Sequence, residues 1–269
     1  MKTRLAPMLV ATLATTLAGA EGCTPGPVGV ASLPTDTLTN GLLAHWTFDE
    51  GLGLTVNDSS GNGRDGSIFG SNSNWEPQGK FGGALHFGGA DQVTVPGFPQ
   101  ATPTFTVSAW LDVATTDLGP NVQSLGALLS NETLNGGWGT YLSMPTPPPG
   151  GPGGDPSYDF VYNVGPPQNY AHNQCACFTT DSWIHLAWVV DAPAGLLTLY
   201  VNGTPQTIVD VPRAIAPGGT TLFMGRWPAP VLGPQRFLVG ALDDIAIWTR
   251  ALAPEEIGLL GVAPAPSRI

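Results

Sequence analysis

A short glycine-rich stretch near the start of the folded part of the chain carries side-chain oxygens at spacings suited to a hard cation. Asp58, Ser60, Asn62 and Gly63 occupy positions 1, 3, 5 and 6 of a D-x-S-x-N-G pattern, as in the first half of an EF-hand loop. Position 12 is Phe69 instead of a bidentate glutamate, and no flanking helices are predicted, so the stretch is not an EF-hand. Two interpretations stay open: a calcium-binding loop, or a turn in which Asp58 and Asn62 bond only the local backbone.

The carboxylates that glycoside hydrolysis requires are not paired in this sequence. Such hydrolysis needs two carboxyl groups on either side of the scissile bond. No two glutamates lie two to five residues apart on a predicted strand, and no E-x-D-x-E pattern occurs. Nucleophilic catalysis needs a base beside the nucleophile, and His45, His86 and His185 all fall in strand patterns typical of structural histidines. The sequence therefore predicts no enzymatic activity.

The spacing His172-x-x-Cys175-x-Cys177 is the one arrangement in the sequence that is typical of a transition-metal site. It places three soft ligands within six residues, and a fourth ligand is not evident. In an exported protein, Cys175 and Cys177 could instead close a small disulfide, although a bridge between residues i and i+2 is strained. The disulfide is the preferred interpretation, ahead of cysteines that stay free or pair elsewhere.

Aromatic side chains at strand ends and in loops offer flat surfaces on which a sugar ring can stack. The candidates for such stacking are Trp75, Trp138, Tyr141, Tyr170 and Trp227, and the predicted ligand-binding residues among them are Trp138, Tyr141 and Trp227. The competing interpretation for each is a ring that anchors a loop by packing. Tryptophans within strand patterns are assigned to the core: Trp46, Trp110, Trp188 and Trp248.

The N-terminal region predicts export. Residues 1–22 combine a basic start, an apolar run and small residues, as in a signal peptide. Cleavage after Ala20 is one interpretation; the preferred one is a lipoprotein signal, after which Cys23 carries the lipid at the new N-terminus. The Pro/Gly-rich residues 23–41 suit a linker. The predicted location is the outer membrane or cell surface, as a lipoprotein, or the medium as a secreted protein.

The charge of the chain restricts its partners. Cleavage after Ala20 deletes Lys2 and Arg4 from 9 basic residues and removes no acid, which leaves 7 basic against 20 acidic residues and a formal charge of −13. A surface of this sign repels nucleic acid and anionic membranes. No second apolar stretch of about 18 residues follows the signal, so membrane contact is predicted only through a lipid on Cys23.

Strand-forming segments separated by glycine and proline breaks fill the rest of the chain, which contains 36 Gly and 27 Pro. Thr104–Asp112 shows the clearest alternation, Trp183–Val190 is apolar on both faces, and Asn202-Gly203 predicts a type I′ hairpin. A short helical turn is predicted from Pro254. Many short strands joined by tight turns predict an all-β sandwich of two antiparallel sheets.

Seven fragments follow one another along the chain: AHWTFDEG, DSSGNGRDG, GKFGGALHF, FTVSAWLD, SWIHLAWVVD, LTLYVNG and GALDDIAIWTRALAPEEI. Their order and spacing resemble those of the laminin G-like, concanavalin A-like jelly-roll domains common in bacterial surface proteins. The resemblance implies a jelly roll over residues 42–261, with a tail at 262–269. Because this fold carries lectins, adhesion modules and glycanases, it does not define an activity.

The resemblance also implies a structural calcium site at a sheet edge, where the opening loop meets the last long strand. Carried over to this sequence, it indicates Asp49, Asp58 and either Asp243 or Asp244. Adjacent strand residues point to opposite faces, so only one of the last pair can enter the site, and Asp244 is preferred. With Asn62 from the loop, the predicted calcium ligands are Asp49, Asp58, Asn62 and Asp244. Alternatively, an arginine neutralises the acidic pair: Arg226, Arg236 or Arg250.

These observations predict a non-catalytic recognition module outside the cytoplasm that binds carbohydrate or a surface protein and contains a structural calcium ion. A purely structural surface domain without a specific ligand is the first alternative, and a degenerate glycan-active enzyme is the second. An exposed Trp138 or Trp227 on a sheet face would favour binding, whereas a face with only Ser, Thr and small residues would favour the structural role.

Overall fold

The computed structural model describes the chain from the end of the predicted linker to the C-terminal tail. The described residues are 36–71, 73–117, 126–133, 136–143, 157–163, 170–175, 179–210, 216–228 and 237–267. The predicted signal at 1–22, the predicted lipid-bearing Cys23 and Cys177 lie outside these residues.

Strands dominate the described residues, which confirms the predicted all-β class. The first part of the chain forms α1 (Asp36–Thr39), β1 (Leu42–Trp46), β2 (Thr55–Val56), β3 (Gly66–Phe69), β4 (Asn74–Glu76), β5 (Ala84–Gly88), β6 (Gln92–Pro96) and β7 (Thr104–Asp112), followed by a short 3-10 helix (Thr115–Asp117). The second part forms β8 (Ala127–Ser130), β9 (Gly137–Ser143), β10 (Ser157–Asn163), β11 (Tyr170–Cys175), β12 (Ile184–Asp191), β13 (Leu196–Val201), β14 (Thr204–Asp210), β15 (Thr221–Met224), β16 (Val239–Trp248) and α2 (Pro254–Leu260).

The strands form two antiparallel sheets that pack as a jelly-roll sandwich. The first sheet has the order β14-β13-β12-β7-β16-β5-β4, with β1 also paired to β16. The second has the order β11-β10-β9-β8-β15-β6-β3-β2. Along one edge, β16 pairs with β5 through Val239–Leu242 and then with β1 through Ile245–Trp248. The first and last strands of the domain are therefore neighbours.

The main core lies between the two sheets and follows the alternation of the strands. Val107, Ala109 and Leu111 of β7 point into it, as the pattern of that strand predicts. Trp46 and Trp188 are fully buried there. Each large side chain removed from water contributes about 1.5–3 kcal/mol, so this layer is the main source of stability.

A second apolar layer covers the outer face of the first sheet. Leu38 of α1, Ile257 of α2 and Ala265 of the following segment pack there against sheet residues such as Trp248. The indole Nε1 of Trp248 donates a hydrogen bond to the carbonyl of Leu38 at 2.7 Å. Both short helices are thus held by tertiary contacts, because helices of this length are not stable alone.

The predicted limits of the domain are wrong at both ends. Residues 36–41 were assigned to the linker 23–41, but they form α1 and the turn into β1. Ala265 was assigned to the tail 262–269, but it is 5% exposed and packs on the sheet. A four-residue helix and an irregular segment have no periodic pattern, so composition alone does not show that they pack.

Most of the predicted strands are present, and β7 has the predicted limits. Asn202 and Gly203 both have positive φ angles, 48° and 75°, which confirms the type I′ hairpin between β13 and β14. The strands without a sequence prediction, β2, β4 and β11, all lie at sheet edges and need no two-sided apolar pattern. No helix among the described residues combines the length and apolarity needed to cross a membrane.

Arg250 joins the two helices to the end of β16. Its guanidinium donates to both carboxylate oxygens of Glu256, at 2.6 and 2.7 Å, and to the carbonyls of Thr37 and Asn40. The hydrogen bonds from Arg250 hold the pKa of Glu256 below its usual value. This pair therefore stabilises the folded state whenever Glu256 is ionised.

We expect Glu256→Gln to lower the free energy of unfolding at pH 7 by about 1–3 kcal/mol, because the nearly buried Glu256 carboxylate that binds the Arg250 guanidinium through both oxygens is lost. The folded-state pKa of Glu256 is lowered, so its contribution is present above the unfolded pKa and is lost as pH falls through the folded value. Urea unfolding at several pH values measures both effects. Glu255→Gln, at an exposed position of the same helix, is the control, and equal stability of the two variants would contradict the role.

Candidate functional site

The opening loop is organised by Asp58. Its Oδ1 accepts hydrogen bonds from the backbone N–H groups of His45 at 3.0 Å and Ser60 at 2.9 Å, and its Oδ2 accepts one from Arg64 at 2.9 Å. Burial by itself raises the pKa of Asp58, but a hydrogen bond from the Ser60 side chain, together with these backbone hydrogen bonds, outweighs burial and the pKa is lowered. Both oxygens of Asp58 are thus used to fix the backbone of the loop.

Asn62 has the same kind of role. Its amide group donates to the carbonyls of Leu42 and Leu43, each at 3.0 Å, and to Ser60 Oγ at 3.1 Å. The D-x-S-x-N-G pattern therefore forms a turn that bonds its own backbone and the strand beside it. Of the two interpretations that the spacing left open, the structure supports the turn.

The structure does not assemble the predicted calcium ligands Asp49, Asp58, Asn62 and Asp244. Within the described part of the chain, no group of three or more His, Cys, Asp or Glu side chains could hold a metal ion. Asp58 and Asn62 are corrected to turn-forming residues. The expected approach of the opening loop to the last strand does occur, but a histidine connects them.

His45 lies where the cation was predicted. It is completely buried, its backbone N–H donates to Asp58, and its ring Nε2 lies 2.7 Å from Asp244 Oδ1. Asp244 Oδ2 accepts a further bond from the backbone N–H of Ala265 at 2.8 Å. Asp244 is fully engaged by protein groups and is therefore corrected as a calcium ligand. The alternation of β1 gave no reason to distinguish His45 from an ordinary core residue.

Asp243 is directed to a different environment. Its Oδ2 accepts a hydrogen bond from the backbone N–H of Phe81 at 2.8 Å, and its Oδ1 is buried without a hydrogen-bond partner among the described residues. Burial raises the pKa of Asp243 to about 7. The register shift of β16 after this residue, with a φ of 46° at Asp244, separates the two carboxylates. A buried carboxylate oxygen without a hydrogen-bond partner is costly, which is the reason for the raised pKa.

Backbone oxygens approach Asp243 from the Gly79–Gly83 loop. A Cβ added at Gly79 would overlap the carbonyl of Gly83 and lie 2.8 Å from Asp243 Oδ2. A Cβ added at Gly83 would lie 2.8 Å from the carbonyl of Phe48. The glycines therefore let oxygen atoms approach the loop closely, and oxygen is the ligand type that calcium prefers.

Asp49 lies at the same loop. Its Oδ1 accepts a hydrogen bond from the backbone N–H of Gly83 at 2.7 Å, and a Cβ at Gly82 would overlap that oxygen. Gly82 has a φ of 72°, which a side chain would also disfavour. Asp49 and Asp243, one from each end of the domain, thus meet the same short loop. Of the predicted calcium ligands, Asp49 is the one that this arrangement retains.

Trp138 is corrected as a ligand-binding residue. It is 1% exposed and belongs to the main core, where its ring lies 5.4 Å from that of Phe105. Tyr141, three residues later on β9, is instead on the outer face of the second sheet. The pattern of β9 did not separate these two rings, because one register step decides which face each one meets.

The structure brings Tyr141 and Trp227 into contact. Their ring centroids are 5.9 Å apart in an edge-to-face arrangement. Trp227 Nε1 donates to Glu132 Oε2 at 2.7 Å, and the Tyr141 hydroxyl donates to the same oxygen. Glu132 is 6% exposed and was assigned no role from the sequence. It fixes the orientation of both rings.

Within the described residues, the outer face of the second sheet, called the open face below, carries no apolar layer comparable to the helices on the first sheet. This face is half-buried at Phe223 and Trp227 and buried along β8 and β9, where Tyr141 is 9% exposed. Phe223 lies near its centre and pairs with Ser130 on one side and Thr94 on the other. Phe69, at the end of β3, is 53% exposed. Other side chains of the open face are Ser67, Gln92, Tyr141 and Trp227.

A family model described as the concanavalin A-like lectin/glucanases superfamily matches residues 87–258, well over half of the chain. The chain belongs to this superfamily. The match confirms the resemblance seen in the seven sequence fragments. None of the curated proteins matches the chain in sequence.

Solved structures with the same fold include domain 4 of an extracellular arabinanase from Geobacillus stearothermophilus, in complex with arabinotriose. It has a TM-score of 0.57 and 23% identity, and the match covers 82% of this chain and 98% of that chain. A structure of botulinum neurotoxin type C has a TM-score of 0.62 and 14% identity over 85% of this chain; the cell entry of that toxin depends on interaction with two ganglioside molecules. The ligand-binding domain of botulinum neurotoxin serotype D with N-acetylneuraminic acid has a TM-score of 0.60 and 13% identity over 84% of this chain. The concanavalin A-like domain spans about half of each toxin chain, 52% in both.

A buried serine–histidine pair connects β7 and β12 of this concanavalin A-like domain. Ser108 Oγ lies 2.8 Å from His185 Nε2, but the residues are 2% and 0% exposed. Burial, with a further contribution from Lys80, lowers the pKa of His185 to about 3, so its ring is neutral at physiological pH. The pair is closed to solvent, which agrees with the structural interpretation of His185.

The predicted cysteine site lies beyond what the structure describes. His172 and Cys175 belong to β11, of which only the backbone is described, and Cys177 lies outside the described residues. The disulfide between Cys175 and Cys177 therefore stays a prediction.

We expect Asp58→Ala to lower the free energy of unfolding by about 1–2 kcal/mol, because three backbone N–H groups lose their acceptor at a partly exposed position. Hydrogen exchange should accelerate at the amides of His45, Ser60 and Arg64 in particular. Asp65→Ala is the matched control, since Asp65 accepts only the N–H of Asp58, at 2.8 Å. Unchanged exchange at all three amides would show that Asp58 does not organise the loop.

Proposed function

We propose that this concanavalin A-like domain is a non-catalytic glycan-recognition module outside the cytoplasm, with a structural calcium site at Asp243. The observation that carries the first part is the asymmetry of the sandwich. Helices cover the outer face of the first sheet, whereas on the outer face of the second sheet Trp227 and Phe223 are half-buried and Tyr141, 9% exposed, packs against Trp227.

The open face has the chemistry of a sugar-binding surface. A sugar ring presents C–H groups on one side, which pack on an aromatic ring, and hydroxyl groups at its edge, which need hydrogen-bond partners. Trp227 and Phe223 provide rings, while Thr94 and Ser67 provide hydroxyl groups in the neighbouring strands. Because Glu132 already holds Trp227 by its indole N–H, ordering that ring on binding costs little entropy.

The similar structures support a carbohydrate ligand. The arabinanase domain was solved with arabinotriose, and the toxin structures concern gangliosides and N-acetylneuraminic acid. The sequence identities are low, so the argument for a carbohydrate ligand combines these similarities with the side chains of the open face. The export signal predicted at residues 1–22 supports a location outside the cytoplasm, and the lipid on Cys23 stays a prediction of the sequence.

The proposed calcium site uses Asp243 in place of Asp244. The support is the buried Asp243 oxygen without a hydrogen-bond partner and the close approach of the Gly79–Gly83 loop, where a Cβ at Gly79 would meet both the Gly83 carbonyl and Asp243 and a Cβ at Gly83 would meet the Phe48 carbonyl. Asp49 would complete the ligand set from the other end of the domain. A calcium ion here would supply no chemistry beyond charge neutralisation and a link between the Gly79–Gly83 loop, β1 and β16.

We expect the protein to bind arabino-oligosaccharides or other neutral glycans, and Trp227→Ala to weaken that binding about 10-fold or more, close to 1.4 kcal/mol. Isothermal calorimetry after a glycan-array screen measures the affinity. Trp75→Ala is the control, because Trp75 is a half-buried tryptophan of β4, in the other sheet. A blank array would favour the purely structural domain, and equal loss in both variants would exclude a specific site at Trp227.

We expect calcium to raise the melting temperature by roughly 5–10 °C at a hundredfold excess over its dissociation constant, and EDTA to reverse the rise. Asp243→Asn should fold without calcium, because it removes a buried charge, and should lose the rise. Asp244→Asn and Asp58→Asn should retain a calcium-dependent rise. An unchanged wild-type melting temperature in EDTA would exclude the site, and a rise retained in Asp243→Asn would place it elsewhere.

A further inference from the structure

The three arginines whose side chains are described use their guanidinium donors very differently. Arg250 is saturated by carbonyl and carboxylate oxygens. Arg226 makes one hydrogen bond, from one terminal nitrogen to Gln92 Oε1 at 2.7 Å. Arg64 makes one side-chain bond, from Nε to the carbonyl of Leu43 at 3.1 Å. Arg250 shows what a structural arginine looks like in this domain, and Arg226 does not match it.

Arg226 is nevertheless held in place. Its guanidinium carbon lies 5.7 Å from the ring centroid of Phe223 and 5.8 Å from that of Phe237, so the cation is between two aromatic side chains. Its Nε is buried without a hydrogen-bond partner, and no carboxylate among the described residues pairs with it. A positioned cation with unused donors is a binding group for an anion.

The location of Arg226 connects this cation to the proposed glycan site. Gln92 and Phe223, which contact Arg226, both lie on the open face. Trp227 follows directly in the chain and packs against Tyr141. The carboxylate of Glu132 is nearby in this cluster, but Tyr141 and Trp227 donate to it and Arg226 does not. The aromatic rings and the unpaired cation therefore share one surface.

We propose that the ligand of the open face is an acidic glycan, in which a uronate carboxylate binds Arg226 while neighbouring sugar rings stack on the aromatic side chains. This inference rests on the proposed function and adds the ligand class. The planar guanidinium matches the two oxygens of a carboxylate, and such charge-assisted bonds are stronger than neutral ones. The site favours an isolated uronate on a neutral chain. With a net charge of −11, the protein repels densely charged polyanions.

The test compares two oligosaccharides that differ only in the carboxylate. One is a xylo-oligosaccharide that carries a single glucuronate, and the other is the same compound after reduction of its carboxyl group to a primary alcohol. Calorimetry with the full chain at physiological salt should give an affinity roughly 10- to 100-fold higher for the acidic compound. Arg226→Gln should remove this difference and leave the affinity for the reduced compound unchanged.

Arg64→Gln is the matched control, because it removes the same charge from an arginine with equally few hydrogen bonds. It should retain the preference for the acidic compound. Arg226→Lys keeps the charge without the planar fork and should give an intermediate preference, and the melting temperature of each variant reports on its fold.

Three results would overturn the inference. Equal affinity of the wild type for both oligosaccharides would reject the acidic ligand but leave glycan recognition intact. If the preference for the acidic compound is lost in Arg64→Gln and retained in Arg226→Gln, the carboxylate binds Arg64 and not Arg226. If the protein binds neither oligosaccharide, the acidic ligand is rejected. The proposed glycan-recognition function fails only if the neutral glycans of the array are not bound either.

Discussion

The contact on which the architecture depends is His45, which joins the two ends of the domain. Its backbone N–H bonds Asp58 in the opening loop, and its ring bonds Asp244 in the last strand, at a fully buried position. β1 and β16 are separated by almost the whole sequence, so their pairing closes a long loop at a large entropic cost. A buried, directional contact at that junction fixes the register of the pair and the geometry of the opening loop.

This contact also determines how the two adjacent aspartates are used. Asp244 is bound by His45 and by the N–H of Ala265, so it stabilises the segment that follows α2. Asp243, one residue earlier, is turned to the Gly79–Gly83 loop and keeps one oxygen without a partner. A β-bulge makes this division possible, because it lets neighbouring residues of one strand serve separate sites.

The two outer faces of the sandwich have different roles. On the first sheet, α1, α2 and the segment around Ala265 bury the face and seal Ser108 and His185 from solvent. On the second sheet, Tyr141 and Trp227 are arranged around Glu132, and Arg226 is held between aromatic rings. Hydrogen bonds and ring contacts thus fix the orientation of the side chains in this cluster.

The sequence by itself determined the all-β class, the superfamily, the limits of β7 and the hairpin at Asn202-Gly203, because alternation and turn chemistry are local properties. It also gave Tyr141 and Trp227 as candidates for ligand binding and Asp243–Asp244 as an acidic pair in the last strand. Only the tertiary structure decided which carboxylate oxygens already have hydrogen-bond partners and which face of the sheet a ring lies on. Asp58 accepts hydrogen bonds from backbone N–H groups, Asp244 binds His45, and Trp138 packs in the core. Glu132 gave no local signal. These outcomes depend on contacts between residues far apart in the chain, and a residue's type and spacing do not contain that information.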